Sequence, residues 1–200
     1  MDKLQILGVV GSLRQGSYNR AALKVAQELV PDGVVLDLME LHGLPIFDQD
    51  RELLPSPLVL EFKRRILAAD AILFATPEYN HSISGALKNA IDWASRPCGN
   101  SVWQGKPAAV MGASSGNSGT ARAQTHLREI LMALDMPVVT QPEVMIANAA
   151  QRFDAAGRLG DEGIRNLIRT LLAALVKLEG HVPAGSRARL EHFYSTERTS

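Results

Sequence analysis

With 200 residues, 46% of them hydrophobic and 21% charged, the chain is sized for one folded domain with a substantial core. Lys plus Arg (21) balances Asp plus Glu (21), which excludes the basic excess that nucleic acid or an anionic membrane would favour. The single cysteine, Cys98, excludes an intrachain disulfide, and no apolar run nears the roughly 20 residues of a membrane span.

Met1-Asp2-Lys3 leads directly into an apolar segment, without the pattern of a signal peptide, so the cytoplasm is the expected compartment. A short continuous apolar run over 4–10 reads as a strand and ends at Gly11. Ala22, Ala26, Leu29 and Val30 then share one face of a helix that opens near Asn19 and stops at Pro31-Asp32-Gly33. A second strand is expected over 34–38. The helix after it starts at Pro55-Ser56-Pro57 and turns Leu60, Ile66 and Leu67 inward. Residues 71–76 form the third strand, followed by a helix carrying Leu87, Ile91 and Ala94 and ended by Pro97. Residues 108–111 form the fourth, followed by a helix with Leu127, Ile130, Leu131 and Leu134 that ends before Pro137. A fifth strand is expected over 138–146. The clearest helical stripe, Ile164, Leu167, Ile168, Leu171, Leu172 and Leu175, closes the series. Residues 1–181 therefore read as one domain. Residues 182–200, rich in Arg, Ser and Thr, read as a loosely ordered tail whose role as an arm or an appendage stays open.

Strands this short and continuously apolar suit burial on both faces. Alternation of strand and helix implies a parallel sheet between two helical layers, and right-handed crossovers leave few topologies. For five strands the expected α/β fold is the flavodoxin-like three-layer sandwich, in strand order 2-1-3-4-5. Ligands then bind beyond the carboxyl ends of strands 1, 3 and 4, around the point where the chain reverses its winding.

The turns at those three ends carry unusual residues. After strand 1 stands Gly11-Ser12-Leu13-Arg14-Gln15-Gly16-Ser17-Tyr18-Asn19, with two hydroxyls, an amide and a guanidinium at a helix start. Free N–H groups there favour an anion, and Ser12, Ser17, Asn19 and Arg14 add donors suited to phosphate. The turn matches neither the Walker pattern nor G-x-G-x-x-G. Asp37, at the end of strand 2, is accordingly read as an incidental polar residue. After strand 3 stands Thr76-Pro77-Glu78-Tyr79-Asn80-His81-Ser82-Ile83-Ser84-Gly85, which offers an aromatic wall and amide edges to a flat heteroaromatic ring, or forms an ordinary turn with Tyr79 packed inward. After strand 4, the glycines of Gly112-Ala113-Ser114-Ser115-Gly116-Asn117-Ser118-Gly119-Thr120 permit close backbone approach to a ligand.

Gly11-Ser12-Leu13-Arg14 with Ser17 and Asn19, then Pro77-Glu78-Tyr79-Asn80, then Gly85-Ala86-Leu87-Lys88-Asn89-Ala90-Ile91-Asp92-Trp93, resembles the NADPH-dependent FMN reductase family, which includes bacterial quinone, chromate and azo-dye reductases. The resemblance runs from about residue 4 to residue 178. It implies non-covalent FMN, NADPH or NADH as hydride donor, ping-pong transfer to a quinone or similar acceptor, and a homodimer or homotetramer. It implies that the first motif (Gly11, Ser12, Arg14, Ser17, Tyr18 and Asn19) holds the phosphate. Pro77, Glu78, Tyr79 and Asn80 border the isoalloxazine, and Ser114, Ser115 and Gly116 close the far side. Chemistry then resides on the flavin, with no catalytic side chain required.

Two other readings stand beside this one. Gly112-Ala113-Ser114-Ser115-Gly116 also matches the G-x-S-x-G elbow of serine hydrolases, with Asp135 or Asp154 and His181 or His192 following in order. Those histidines fall in or beside the tail, and labelling by a serine-directed phosphonate is the discriminating observation. A one-electron carrier of the flavodoxin type would share the fold, but such carriers tend to be acidic to steer partners. Among His42, His81, His126, His181, His192 and Cys98 no spacing suits a metal, and none is expected. Cys98 reads as an incidental loop thiol, and His81 as a bystander or a proton donor to an acceptor. Trp93 and Trp103 suit core packing at least as well as a subunit contact.

Overall fold

The computed structural model describes residues 3–182. The expected tail, apart from Val182, lies outside the described residues. Five strands, β1 (Leu4–Val10), β2 (Val34–Met39), β3 (Ala71–Ala75), β4 (Ala108–Ala113) and β5 (Val144–Ile146), form one sheet in the order β2-β1-β3-β4-β5. Every pairing is parallel. The intervening helices are α1 (Tyr18–Glu28), α2 (Pro57–Ala68), α3 (Gly85–Ala94), α4 (Ala121–Ala133), the single turn α5 (Ala149–Arg152) and α6 (Glu162–Glu179).

Side chains alternate across the sheet, which divides the core in two. Ile6, Val10, Leu73, Met111 and Ile146 pack with Leu23 of α1 and with Leu171, Leu172 and Leu175 of α6. Leu7, Val9, Ile72, Phe74 and Val110 face α2, α3 and α4 through Phe62, Leu87, Ile91 and Leu127. Both tryptophans are fully buried: Trp103 belongs to this second face and meets Phe62 and Phe74 at ring-centroid distances of 5.9 and 5.6 Å, while Trp93 meets Phe47 edge-on at 5.1 Å. They are core residues.

Helix starts follow local chemistry. Ser17, Ser84 and Asp161 each accept a backbone N–H of the first turn through a side-chain oxygen, and Pro57 opens α2 where its missing N–H costs nothing. The fifth strand departs from expectation. Only Val144–Ile146 pairs as a strand, while Val138 makes an isolated parallel bridge to Ala108. Pro142 lies between them and has no N–H for a ladder, which splits the apolar run over 138–146. β4 runs two residues beyond its expected end because Gly112 and Ala113 pair with Met145 and Ile146.

Candidate functional site

The turns after β1, β3 and β4 meet at one edge of the sheet, and buried polar bonds lock them together. The Gly11 N–H donates to the Ala75 carbonyl at 2.9 Å, and Ser84 Oγ donates to the Gly11 carbonyl at 2.6 Å. A Cβ on Gly11 would lie 2.7 Å from that same Ala75 oxygen, so the glycine serves the packing of the first turn on the third strand. Asn19 bridges to β4: its Nδ2 donates to the Ala113 carbonyl at 3.0 Å, and its Oδ1 accepts the Ala113 N–H at 2.9 Å. Asn19 is buried and spends both ends of its amide on that strand. Gly112 is equally confined, since a Cβ there would stand 1.9 Å from Thr120 Oγ1 and 2.6 Å from the Thr76 carbonyl.

Within the first turn, Ser17 caps α1 by accepting the Arg20 N–H at 3.3 Å. Ser12 is buried, and its Oγ accepts the Arg14 N–H at 3.4 Å. The Arg14 guanidinium is exposed and has no acceptor among the described residues. The N–H groups of Gln15 and Gly16 likewise find no acceptor among the described residues, and a Cβ on Gly16 would meet nothing within 4 Å. Open amides, a buried hydroxyl and an unengaged guanidinium at a helix start suit a phosphomonoester. Tyr18 points elsewhere. Its ring stacks on Phe153 at 5.8 Å and joins the core under α1 and α6, so packing explains its place.

The turn after β3 is a tight hairpin. Tyr79 and Ser82 exchange N–H···O bonds of 3.0 Å each, with Asn80 at φ 50° and His81 at φ 63°. Two left-handed residues in sequence make a type I′ turn, which asks for Asn or Gly at both positions, so His81 is strained there. Tyr79 is 47% exposed and is not packed inward, leaving an aromatic face at the edge of the site. Glu78 has a different task. Its side chain is almost buried, and Oε2 accepts the Arg122 and Ala123 N–H groups at 3.1 and 3.3 Å, capping α4. Thr120, at the N-cap position of α4, makes no side-chain cap bond, and Glu78 supplies what it lacks. The hairpin is further tied to α4 by His126, whose Nδ1 lies 3.0 Å from Ser82 Oγ.

The turn after β4 is pinned to the neighbouring strand. Ser114 N–H donates to Ile146, and the Ser114 and Gly116 carbonyls accept the N–H groups of Ala149 and Asn148, each at 3.0 Å. Ser114 Oγ accepts the Gly116 N–H at 3.0 Å, and Ser115 and Gly116 are exposed. Among the described residues no histidine bonds Ser114, and His192 lies outside them: His181 bonds the Lys177 carbonyl, Asp154 closes a turn with Arg158, and α4 begins only at Ala121. The elbow reading therefore lacks its strand–Ser–helix geometry and, among the described residues, its base. Asp37 pairs with Arg65 on α2, which accounts for it structurally. Among the described residues no cluster of three or more His, Cys, Asp or Glu could hold a metal ion.

Several residues of the site had no local signal in the sequence. Arg20 sends its Nη1 to the Arg14 and Gln15 carbonyls at 2.8 and 2.6 Å, and its Nε and Nη2 to the two oxygens of Glu40 at 2.5 and 2.7 Å. The Arg20 hydrogen bond holds the Glu40 carboxyl below the usual carboxylate range, and Glu40 raises the Arg20 guanidinium in turn. His42 Nε2 lies 2.9 Å from the Leu13 carbonyl. In the third motif, Asn89 and Trp93 face the segment after β2: Asn89 Nδ2 and Trp93 Nε1 both donate to the Pro45 carbonyl, at 2.9 and 2.8 Å. A polar cleft of about 380 Å³, lined by Asn148, Gln151, Arg152, Gly160 and Asp161, opens behind the β4 turn, where Arg152 is already paired with Asp161.

Known proteins carry the same frame. An NAD(P)H-dependent FMN reductase of Pseudomonas aeruginosa is 53% identical over 175 residues, covering 87% of this chain and 94% of that protein. A 2-hydroxy-1,4-benzoquinone reductase of a Burkholderia species is 43% identical over 169 residues, covering 84% of this chain and 92% of that protein. Among solved structures, FerB, a flavoenzyme NAD(P)H:(acceptor) oxidoreductase from Paracoccus denitrificans, superposes with a TM-score of 0.80 at 38% identity, over 90% of this chain and 100% of that one. The model of the NADPH-dependent FMN reductase family matches residues 4–151. The chain belongs to the NADPH-dependent FMN reductase family.

Proposed function

We propose that the three joined turns hold FMN without a covalent bond and that the protein is an NAD(P)H-dependent quinone reductase. The observation that carries this reading is the β1–α1 turn, where open N–H groups, the Ser12 hydroxyl and the free Arg14 guanidinium converge beside the β3 and β4 ends. FMN, when bound, supplies the chemistry of taking hydride from NAD(P)H and giving it to an acceptor. The chain's own residues bind and orient. Ser12, Arg14 and the turn amides hold the phosphate, Ser17 and Asn19 fix the turn to α1 and β4, and Gly11 lets it lie close. Pro77, Tyr79 and Asn80 border the ring, Glu78 anchors that border to α4, and Ser114, Ser115 and Gly116 close the opposite side. No side chain is required to move a proton in the hydride step, and the names of the relatives support a quinone as acceptor.

We further propose a homo-oligomer in the cytoplasm. Ile46, Leu53 and Leu54 in the segment between β2 and α2, with Leu58 in the first turn of α2, are exposed at 88%, 77%, 88% and 53%, more apolar surface than a lone subunit gains from displaying. The single cysteine, Cys98, is exposed and unpaired, which suits a reducing compartment.

The test is the absorption spectrum of the purified protein, followed by stopped-flow bleaching with NADPH and with NADH and re-oxidation by 1,4-benzoquinone. A bound yellow chromophore that bleaches with either nucleotide and recovers with the quinone is expected. Protein that neither carries nor takes up FMN overturns the reading. A stable blue semiquinone with negligible NAD(P)H oxidation would favour the one-electron carrier instead.

A further inference from the structure

Three consecutive carbonyls of the β1–α1 turn are held from outside the site. His42 Nε2 engages Leu13, 2.9 Å away, and because a carbonyl only accepts, the ring carries its proton on Nε2. Arg20 Nη1 engages Arg14 and Gln15, at 2.8 and 2.6 Å. One carboxylate organises the arginine and lies near the imidazole. Glu40 takes Arg20 Nε and Nη2 at 2.5 and 2.7 Å, and His42 Nδ1 stands 3.8 Å from Glu40 Oε2.

The consequence follows from the planarity of the peptide group. In a trans peptide the N–H points opposite to the preceding C=O, so carbonyls of 13, 14 and 15 drawn outward turn the N–H groups of 14, 15 and 16 the other way. The Arg14 N–H marks that direction, since it points at the buried Ser12 Oγ. Successive amides aimed at one point form a nest for an anion. With the carbonyls free, the turn could rotate lone pairs toward a phosphate and repel it.

We infer that Arg20, Glu40 and His42 form a positioning clamp that presets the turn for a phosphomonoester without touching it. The inference rests on the FMN reading above and adds Arg20, Glu40 and His42 to it. Arg20 is the centre of the clamp, because only a planar fork can serve two carbonyls and both oxygens of a carboxylate at once. A lysine there keeps the charge and loses the fork.

The decisive measurement compares FMN with riboflavin, which has the same ring and lacks the phosphate, by fluorescence quenching on flavin-free protein. Wild type should bind FMN much more tightly than riboflavin. Arg20→Met should raise the FMN Kd about tenfold or more and leave the riboflavin Kd within about twofold, and Arg20→Lys should recover little of the loss. His42→Phe, at a half-exposed position, should lose a few-fold for FMN alone and serves if Arg20→Met does not fold, as judged by the thermal melt of the apo-protein. An unchanged FMN Kd, equal losses for both flavins, or full rescue by lysine overturns the clamp. Wild type binding riboflavin as tightly as FMN overturns the clamp and leaves a flavin protein standing. Wild type binding neither flavin removes the FMN reading and the clamp together.

Discussion

Asn19 is a cap-like residue at a helix start, and its sequence context suggests a ligand donor; in the structure it is a strut to Ala113. Asn19→Ala leaves a buried N–H and a buried carbonyl unpaired, so about 2–4 kcal/mol of stability should go, read as a lowered urea midpoint with unchanged slope. Gly112→Ala forces a methyl into Thr120 Oγ1 and the Thr76 carbonyl, and overpacking of this kind costs about 1–3 kcal/mol. Because backbone as well as side chain must shift, FMN affinity should fall with it, and a melt without matching loss of flavin would count against the shared frame. Glu40 sets a pH limit. Its carboxyl is held low by the Arg20 hydrogen bond, so the folded group stays ionised below the unfolded value of about 4.3. Its contribution is present above that value and disappears as pH falls through the folded one. Thermal stability should therefore drop in acid, and Glu40→Gln should flatten that limb of the profile.

At the scale of elements, α4 is the dependent one. Its own N-cap, Thr120, is left-handed at φ 75° and makes no side-chain cap bond, so its first turn relies on Glu78 from the β3 hairpin. Glu78→Ala should cost about 1 kcal/mol in the apo-protein and raise hydrogen exchange in the first turn of α4, while a melt unchanged from wild type would refute the cap. The hairpin carries an opposite liability in His81, whose left-handed backbone costs about 1–2 kcal/mol. His81→Gly should raise the melting temperature and keep FMN bound. Were flavin turnover to fall at the same time, the imidazole would have a role in the reaction. The third family motif acts at this scale too: Asn89 and Trp93, one helical turn apart on α3, hold Pro45 and so the segment that presents Ile46.

For the molecule as a whole, a sheet buried on both faces leaves its ligand edge open, and the segment between β2 and α2 carries its most exposed large apolar side chains, Ile46, Leu53 and Leu54. Ile46→Asp with Leu54→Asp should lower the mass measured by light scattering to that of one chain, with the fold kept by circular dichroism. An unchanged mass would remove this loop from the contact. The strand order, the parallel sense and the position of the three turns were legible beforehand, because continuous apolar runs alternating with 3.6-period stripes admit few packings. The double burial of Ile6 and Leu7, or of Leu73 and Phe74, is that same pattern seen from its two sides. What stayed illegible was every pairing across distance. Nothing adjacent in the chain tells that Arg20 meets Glu40, that Glu78 caps a helix beginning 43 residues later at Ala121, or that Tyr18 turns to Phe153. Local sequence determines where backbone bends and which faces are apolar, since propensity and periodicity act over a few residues. Which polar groups remain free for a ligand is decided only when the sheet brings its turns together, because a donor is spent or spared by neighbours that the fold alone supplies.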